Sequence, residues 1–346
     1  MLYSCLLFAL TCWQPVSSNV PLRELAADRL RIGAAVEPAH LEEPEYAATL
    51  AREFNQVEPE NAMKFVRVHP GPVTYNFGPA DSLVAFAQSH RMAVRGHTLV
   101  WHQQLPSWLT SGGYSFVELS SILADHIYTV VKHFAGQVYS WDVANEAFND
   151  DGSLRSTLWS DAPGIGREGA GYIEQALRWA HAADPNALLF YNDFGAEPVN
   201  AKSDAIYRMA RDFLSRGVPL DGIGLQMHLR GEPLPLDKID ENLTRLEGLG
   251  LQVQITELDV GLPVDAAGKA APPDIARQAE IYADVVALCL KHPRCTAIQT
   301  WGFTDKYSWI PSWFPGNGSA LEFDAQYQPK RAYEAMEKAL RSSFHK

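Results

Sequence analysis

Short apolar runs alternate with amphipathic stretches along almost the whole chain. Eight of the runs are read as β-strands, over residues 32–36, 54–60, 93–100, 138–148, 188–194, 222–228, 251–260 and 297–303. Several are nearly continuous in apolar residues, which is typical of parallel strands covered on both faces.

Amphipathic segments fill the gaps between these strands. They predict helices over residues 45–53, 80–90, 116–134, 169–184, 200–217, 236–250, 273–292 and 330–340. Some repeat apolar residues at helical spacing, and others end on a glycine such as Gly217 or Gly250. Eight βα units without a break in composition predict an α/β protein with a single (β/α)8 TIM barrel. A doubly wound sheet is the alternative, but no Gly-rich phosphate loop follows the first strand.

The N-terminus carries a short apolar core, Leu6 to Leu10, followed by small residues. This pattern predicts a signal peptide over residues 1–18, cleaved near Ser18, and a catalytic barrel over residues 19–346. We therefore expect a secreted protein, extracellular or periplasmic. No Lys or Arg precedes the apolar core, so a buried N-terminal segment is the alternative. The run is too short to span a bilayer, and no membrane association is expected.

The cysteines follow the same division. Cys5 and Cys12 lie in the predicted signal peptide, while Cys289 and Cys295 remain in the barrel, six positions apart. In a secreted protein such a pair suggests a disulfide, with two unrelated thiols as the alternative.

Charge narrows the range of partners. The formal net charge is −12, from 41 acidic and 29 basic residues. Such a chain repels nucleic acid and anionic lipid, so neither is expected as a partner, and a neutral ligand fits better.

Polar and aromatic residues gather where the predicted strands end, which is where barrel enzymes place their functional groups. They are Glu60, Asn61, Lys64, His97, Trp101, His102, Asn145, Glu146, Tyr191, Asn192, Asp193, Gln226, His228, Glu257, Asp259 and Trp301. Any one of them could be a satisfied core residue. Their recurrence on seven strands predicts an active site, because burying so many unpaired polar groups is costly.

Two carboxylates that face each other across a cleft suit glycoside hydrolysis, since one can protonate the leaving oxygen while the other attacks or activates water. Four tryptophans could stack on sugar rings, with core packing as the alternative, above all for the last of them. They are Trp101, Trp301, Trp309 and Trp313. The sequence contains no HExxH, zinc-spaced cluster or GxSxG motif, so no metal, cofactor or serine nucleophile is expected.

Six segments resemble one known family, family ten of the glycoside hydrolases, the barrel xylanases, over residues from about 22 to the C-terminus. They are ENAMKF (60–65), GHTLVWHQQLPSWL (96–109), WDVANEAF (141–148), LQMH (225–228), QITELDV (254–260) and TWGFTDKYSWI (300–310). The resemblance implies Glu146 as general acid/base and Glu257 as nucleophile. It implies that His228 holds Glu257 and that Asn145 binds the 2-hydroxyl of the sugar at the cleavage point.

The resemblance also implies a substrate-binding set. Its members are Glu60, Asn61, Lys64, His97, Trp101, Tyr191, Gln226, Trp301 and Trp309. Lys64, His97 and Gln226 would surround the sugar at the cleavage point, and Glu60 and Asn61 the next sugar towards the non-reducing end. Trp301 and Trp309 would exclude a hydroxymethyl group and so favour xylose over glucose.

The implied activity is that of a monomeric, retaining endo-1,4-β-xylanase acting on xylan and xylo-oligosaccharides by double displacement through a covalent glycosyl-enzyme. Retention predicts carboxyl groups about 5–5.5 Å apart. A β-1,4-glucanase is one alternative, disfavoured by Lys64, His97, Gln226 and Trp309. A carbohydrate-binding protein without catalysis is the other, disfavoured by the presence of both glutamates.

Three positions depart from the family pattern. Phe65 stands where the family usually has Trp, and Phe194 and Gly195 stand where it often has Tyr and Asn. The last two put contacts to the sugar beyond the cleavage point in doubt.

Overall fold

A computed structural model describes residues 20–161, 164–165 and 169–342 of the chain. The predicted signal peptide, its cleavage site, Cys5 and Cys12 lie outside the described residues. Within them, no helix is both long and apolar enough to cross a membrane.

Eight parallel strands form the centre of the structure. They are β1 (Arg31–Val36), β2 (Gln56–Pro59), β3 (Ala93–Val100), β4 (Ser140–Asn145), β5 (Leu188–Asp193), β6 (Gly222–Leu225), β7 (Gln252–Val260) and β8 (Cys295–Thr300). Neighbours in sequence are neighbours in the sheet. Strand β8 pairs with both β7 and β1, so the sheet closes into a barrel.

Eight helices surround the barrel. They are α1 (Pro44–Glu53), α2 (Gly78–Ser89), α3 (Phe116–His133), α4 (Gly171–Ala183), α5 (Ala201–Ser215), α6 (Leu236–Gly248), α7 (Pro272–Lys291) and α8 (Arg331–Ser342). Shorter elements lie between these strands and helices. They are the short helices Leu22–Ala26, Phe65–Val68, Ser107–Thr110 and Ile310–Trp313, the 3-10 turns Pro38–Glu42 and Asp305–Tyr307, and the two-residue strands His228–Leu229, Leu262–Pro263 and Asn317–Gly318. The predicted (β/α)8 barrel is confirmed.

Sequence and structure differ mainly at the carboxyl ends of strands. Strand β4 stops at Asn145, three residues before the predicted end, and Glu146 has a left-handed φ of 54°. Strand β6 stops at Leu225, and His228 begins a separate short strand beside β7. The apolar pattern continues past both points because the residues stay largely buried, although regular pairing has ended.

The barrel interior is polar rather than purely apolar. Arg95 is fully buried and donates to Asp142 (Nε to Oδ2, 3.1 Å) and to Gln254 (Nη1 to Oε1, 2.6 Å). On either side of Gly33 in β1, Gln56 donates from Nε2 to Oε1 of Gln299 at 2.8 Å, a contact between residues 243 apart in sequence. Buried polar groups are tolerated when they are paired in this way, and each pair fixes the strands that carry it.

The predicted disulfide is present. Cys289, in the last turn of α7, is bonded to Cys295, the first residue of β8. The bridge ties a helix end to the strand that closes the barrel.

Candidate active site

The carboxyl ends of the strands surround a cleft of about 550 Å³. All the predicted catalytic and substrate-binding residues line it except Tyr191, namely Glu60, Asn61, Lys64, His97, Trp101, Asn145, Glu146, Gln226, His228, Glu257, Trp301 and Trp309. These residues come from six different strand ends and meet in one space, as the barrel geometry requires.

Glu257 lies inside β7 and is held through its side chain. Its Oε1 accepts from Nδ2 of Asn192 at 2.7 Å, and its Oε2 pairs with Nε2 of His228 at 3.1 Å. Burial alone would raise the pKa of this carboxyl, but the His228 hydrogen bond and the charges of His97 and His228 outweigh it, so the pKa is lowered. The site thus favours a carboxylate at Glu257.

His228 is the counter-charge that makes this possible. Its Nδ1 pairs with Oδ2 of Asp259 at 2.9 Å, and the same oxygen accepts from Nε1 of Trp309 at 2.7 Å. Burial works against an imidazolium here, yet Asp259 and Glu257 raise the pKa of His228 well above its usual value. A cation between two carboxylates stabilises the charge of each of them.

Glu146 is placed in a different way. It lies one residue beyond β4, and its carboxyl accepts one hydrogen bond at each oxygen: Oε2 from Nε1 of Trp101 at 2.8 Å, and Oε1 from Nε2 of Gln226 at 3.1 Å. Both donors are neutral. Trp101 is itself anchored, because its carbonyl accepts from Nε1 of Trp159 at 2.8 Å.

A chain of amides links the two glutamates. Gln226, which donates to Glu146, also donates to Oδ1 of Asn145 at 3.3 Å, and that oxygen accepts from Nδ2 of Asn192 at 3.0 Å. Asn192 in turn donates to Glu257. Three side chains therefore fix the spacing of the two carboxyl groups, and both groups line the same cleft.

One side of the cleft carries Lys64, with Nζ 5.2 Å from the ring centroid of Trp101 and 5.3 Å from that of Trp301. Lys64 donates to Oδ1 of Asn61 at 3.3 Å, and burial lowers its pKa. Burial also raises the pKa of the neighbouring Glu60 to about 7, although Lys64 opposes it. These groups offer hydrogen-bond donors and acceptors to hydroxyls.

His97 sits deeper, where Glu58, His97 and Glu257 bring possible metal-ligand atoms within 4.8 Å of one another. The protein already uses most of these atoms. Nδ1 of His97 pairs with Asp142 at 3.0 Å and lies 3.3 Å from Glu58, while both oxygens of Glu257 are bonded as described. The cluster is built as a hydrogen-bonded network, and the expectation that the protein uses no metal remains a prediction.

Tryptophans form one wall of the cleft. Trp301 meets His97 edge to face at 5.4 Å, and Trp309 meets His228 in the same way at 5.0 Å. Trp313 lines the outer rim with 67% of its surface exposed, so it belongs to the cleft rather than to the core.

Tyr191 corrects one prediction. It is fully buried, does not line the cleft and so is not placed to bind sugar. Its hydroxyl accepts from the backbone N–H of Ala147 at 2.9 Å and donates to Asp193, so it supports the turn that carries Glu146. A conspicuous polar residue at a strand end can face the layer beneath the site, because alternate residues of a strand point to opposite sides.

Some cleft residues were missed because they lie on loops, where no periodic pattern marks them. They are Gln103, Gln104, Glu197, Arg230 and Phe314. Of the departures from the family pattern, Phe194 and Gly195 line the cleft, whereas Phe65 is buried beside His126, with ring centroids 3.8 Å apart.

The barrel is closed, and its mouth holds two glutamates that are linked by hydrogen bonds but lie in contrasting environments, beside a wall of tryptophans. These features define the protein as a glycoside hydrolase. The sequence model of Glycosyl hydrolase family 10 matches residues 21–339, and the chain belongs to that family.

Known relatives agree with this assignment. The chain is similar to endo-1,4-beta-xylanase B of Thermotoga neapolitana, 46% identical over 94% of this chain and 92% of the relative. It is 38% identical to an endo-1,4-beta-xylanase of Agaricus bisporus over 90% of this chain and 91% of the relative. Among solved structures, xylanase 10B of Thermotoga petrophila in complex with xylobiose superposes with a TM-score of 0.90 at 46% identity, covering 94% of this chain and 98% of that one.

Proposed function

We propose that this protein is an endo-1,4-β-xylanase that cleaves internal bonds of xylan with retention of configuration. The contrast between the two glutamates carries the proposal. Glu257 bonds to a histidine whose pKa is raised and is held as a carboxylate, whereas the carboxyl of Glu146 accepts its hydrogen bonds from the neutral donors Trp101 and Gln226. Pairs of carboxyls in divergent environments are how glycosidases divide the roles of acid and nucleophile.

In the first step, a carboxylate oxygen of Glu257 bonds to the anomeric carbon while the bond from that carbon to the leaving oxygen breaks. Glu146 gives its proton to the leaving oxygen. In the second step Glu146 takes a proton from water, whose oxygen bonds to the anomeric carbon as the bond to Glu257 breaks. The second substitution returns the original configuration, and Glu146 ends protonated again.

Asn145 has an amide positioned beside both glutamates, suited to the 2-hydroxyl of the sugar at the cleavage point. Its Oδ1 is taken by Gln226 and Asn192, so its Nδ2 is the group left to bind sugar. Hydrogen bonds to that hydroxyl strengthen as the transition state forms.

Xylan is the preferred substrate because of the wall formed by Trp301 and Trp309. Trp309 is fixed through Asp259 and cannot swing away without losing that bond. A hydroxymethyl group on the sugar would meet this wall, whereas xylose has none. The xylanase relatives and the xylobiose bound to the Thermotoga petrophila enzyme support the same choice.

The test follows hydrolysis of linear xylan by proton NMR, with carboxymethylcellulose in parallel. We expect short xylo-oligosaccharides, β-anomers appearing before mutarotation, and little release from the cellulose derivative. Initial α-anomers would overturn retention, and faster release from the cellulose derivative would overturn the substrate. The Trp309→Ala variant should narrow the gap between the two polymers, since it opens the wall.

A further inference from the structure

The backbone turn that carries Glu146 is held by a single residue from one side. The carbonyl oxygens of three consecutive residues accept hydrogen bonds from Arg155: Glu146 O from Nε at 3.1 Å, Ala147 O from the backbone N–H at 2.7 Å, and Phe148 O from Nη2 at 3.2 Å. The planar guanidinium suits two carbonyls in a fixed relation, because its N–H groups form a rigid fork.

The other side of the turn is held by β5. The N–H of Glu146 donates to the carbonyl of Asn192 at 2.9 Å, and the N–H of Ala147 donates to the hydroxyl of Tyr191 at 2.9 Å. The turn is therefore fixed from both edges, and among the described residues every hydrogen bond donated to the carbonyls of Glu146, Ala147 and Phe148 comes from Arg155.

Arg155 is itself anchored. Residues 149–154 turn back on themselves, with Phe148 bridging to Leu154 and the N–H of Asn149 donating to the carbonyl of Ser153 at 2.8 Å. The carbonyl of Arg155 accepts from Oγ of Ser160 at 2.7 Å. The loop thus places Arg155 beside the carboxyl end of β4, where it binds the three carbonyls.

The turn needs such a restraint. Glu146 has a φ of 54°, a left-handed conformation that costs a residue with a side chain about 1 kcal/mol or more. Trp101 and Gln226 hold only its carboxyl oxygens. These two contacts do not fix the main chain, so a relaxed backbone would pull the carboxyl away from Trp101 and Gln226 and displace it.

We propose that Arg155 is a positioning residue for proton transfer: by fixing the three carbonyls it holds the Glu146 carboxyl at the leaving oxygen. This inference rests on the proposed role of Glu146 as acid/base. A misplacement of about 1 Å can cost about 100-fold in rate, so the effect should fall on chemistry rather than on binding.

The test compares two substrates that differ in their need for an acid. Cleavage of xylohexaose releases a sugar hydroxyl, a poor leaving group that requires protonation, whereas 2,4-dinitrophenyl β-xylobioside releases a phenolate that needs no proton. For Arg155→Met we expect kcat on xylohexaose to fall about 30-fold or more with KM changed by less than about threefold. On the dinitrophenyl substrate kcat/KM should fall by less than about threefold.

Arg155→Lys keeps the charge but not the fork, so it should show the same selectivity with a smaller loss. It keeps the test decisive if the methionine variant does not fold. Arg178→Met, at an exposed position of α4 where the arginine bonds to Glu174, is the matched control and should be unchanged on both substrates.

Glu146→Ala is run beside these variants as the reference for lost acid catalysis. If Glu146→Ala shows the leaving-group dependence and the Arg155 variants lose both activities equally, or lose neither, the positioning role is wrong while the proposed function stands. If Glu146→Ala itself shows no dependence on the leaving group, the acid assignment fails and this inference fails with it.

Discussion

The two glutamates of the cleft are fixed by opposite means. Glu257 belongs to a regular strand. Asn192 and His228 both hydrogen-bond to its carboxyl group, and His228 also stabilises its negative charge. Glu146 lies beyond its strand in a left-handed turn, and its backbone is held by hydrogen bonds. One group is controlled through its charge, the other through the path of the main chain.

The difference matches what each role demands. A nucleophile must remain ionised, so a buried counter-charge is the effective control. A group that gives and later takes a proton cannot be locked into one state, so neutral donors and a rigid backbone suit it better. Each prediction below tests whether the two groups separate in this way.

The largest effect should come from Glu257→Gln. The amide keeps the shape and the bond to Asn192 but cannot form the glycosyl-enzyme, so kcat on xylan should fall about 10⁴-fold or more. Initial rates on linear xylan measure it, and xylohexaose binding by calorimetry checks that the cleft survives. Retained turnover would remove Glu257 from the nucleophile role.

Glu146→Ala should cost less, about 10²- to 10⁴-fold in kcat/KM on xylan, because the leaving oxygen can still depart slowly without a proton from a general acid. The loss should depend on the leaving group, being large on xylohexaose and small on 2,4-dinitrophenyl β-xylobioside. Values of kcat/KM on the two substrates provide the check. Equal losses on both would assign the acid role to another group.

His228→Ala tests the charge control of Glu257. Burial favours protonation of Glu257 and the His228 hydrogen bond opposes it, so removing the bond should raise the pKa of this carboxyl. The nucleophile must be ionised, so the acidic limb of kcat/KM should move to higher pH.

The leaving-group dependence of kcat/KM is the internal control for this variant, because no hydrogen bond of the described residues joins Glu146 to His228. A His228→Ala protein with the leaving-group dependence of Glu146→Ala would mean that the two glutamates are not controlled separately. An unmoved acidic limb would mean that His97 and the remaining network suffice to keep Glu257 charged.

The smallest effect on catalysis should follow loss of the disulfide. Cys289→Ala with Cys295→Ala opens a loop of six-residue separation, for which chain entropy gives about 2 kcal/mol of stability. We expect a thermal midpoint lower by a few degrees and kcat/KM on xylan within about twofold of the parent. Reductant added to the parent protein should give the same shift of the thermal midpoint. A large loss of activity would contradict the view that the disulfide stabilises the barrel without affecting the active site.

Much of the fold follows from the sequence because parallel strands between helix layers are apolar on both faces. The run 93–100 predicts β3 to the residue. The run 138–148 overshoots β4, since Ala147 and Phe148 remain buried after pairing ends at Asn145. An apolar run indicates which residues are buried, but it does not indicate which of them form β-sheet hydrogen bonds.

Site residues at the ends of strands could be predicted from the sequence, whereas those on loops could not. Glu146, His228 and Glu257 are marked by position on apolar runs. Arg155 and Arg230 carry no such mark, because only the folded loop shows what an isolated arginine contacts. Tyr191 lies at a strand end, as predicted, but its side chain points away from the cleft. Alternate residues of β5 point to opposite sides, and the neighbouring Asn192 is the one that reaches Glu257.

The polar interior of the barrel also bears on how the protein is made. Gln56 reaches its partner Gln299 only after 243 further residues have been added. During most of its synthesis the chain therefore lacks the native acceptor for Nε2 of Gln56, which stays hydrogen-bonded to water because burying it unpaired would be costly. Vectorial synthesis does not allow this barrel to close step by step: its first strands must wait for the last, which makes translation to near completion a condition for a native interior.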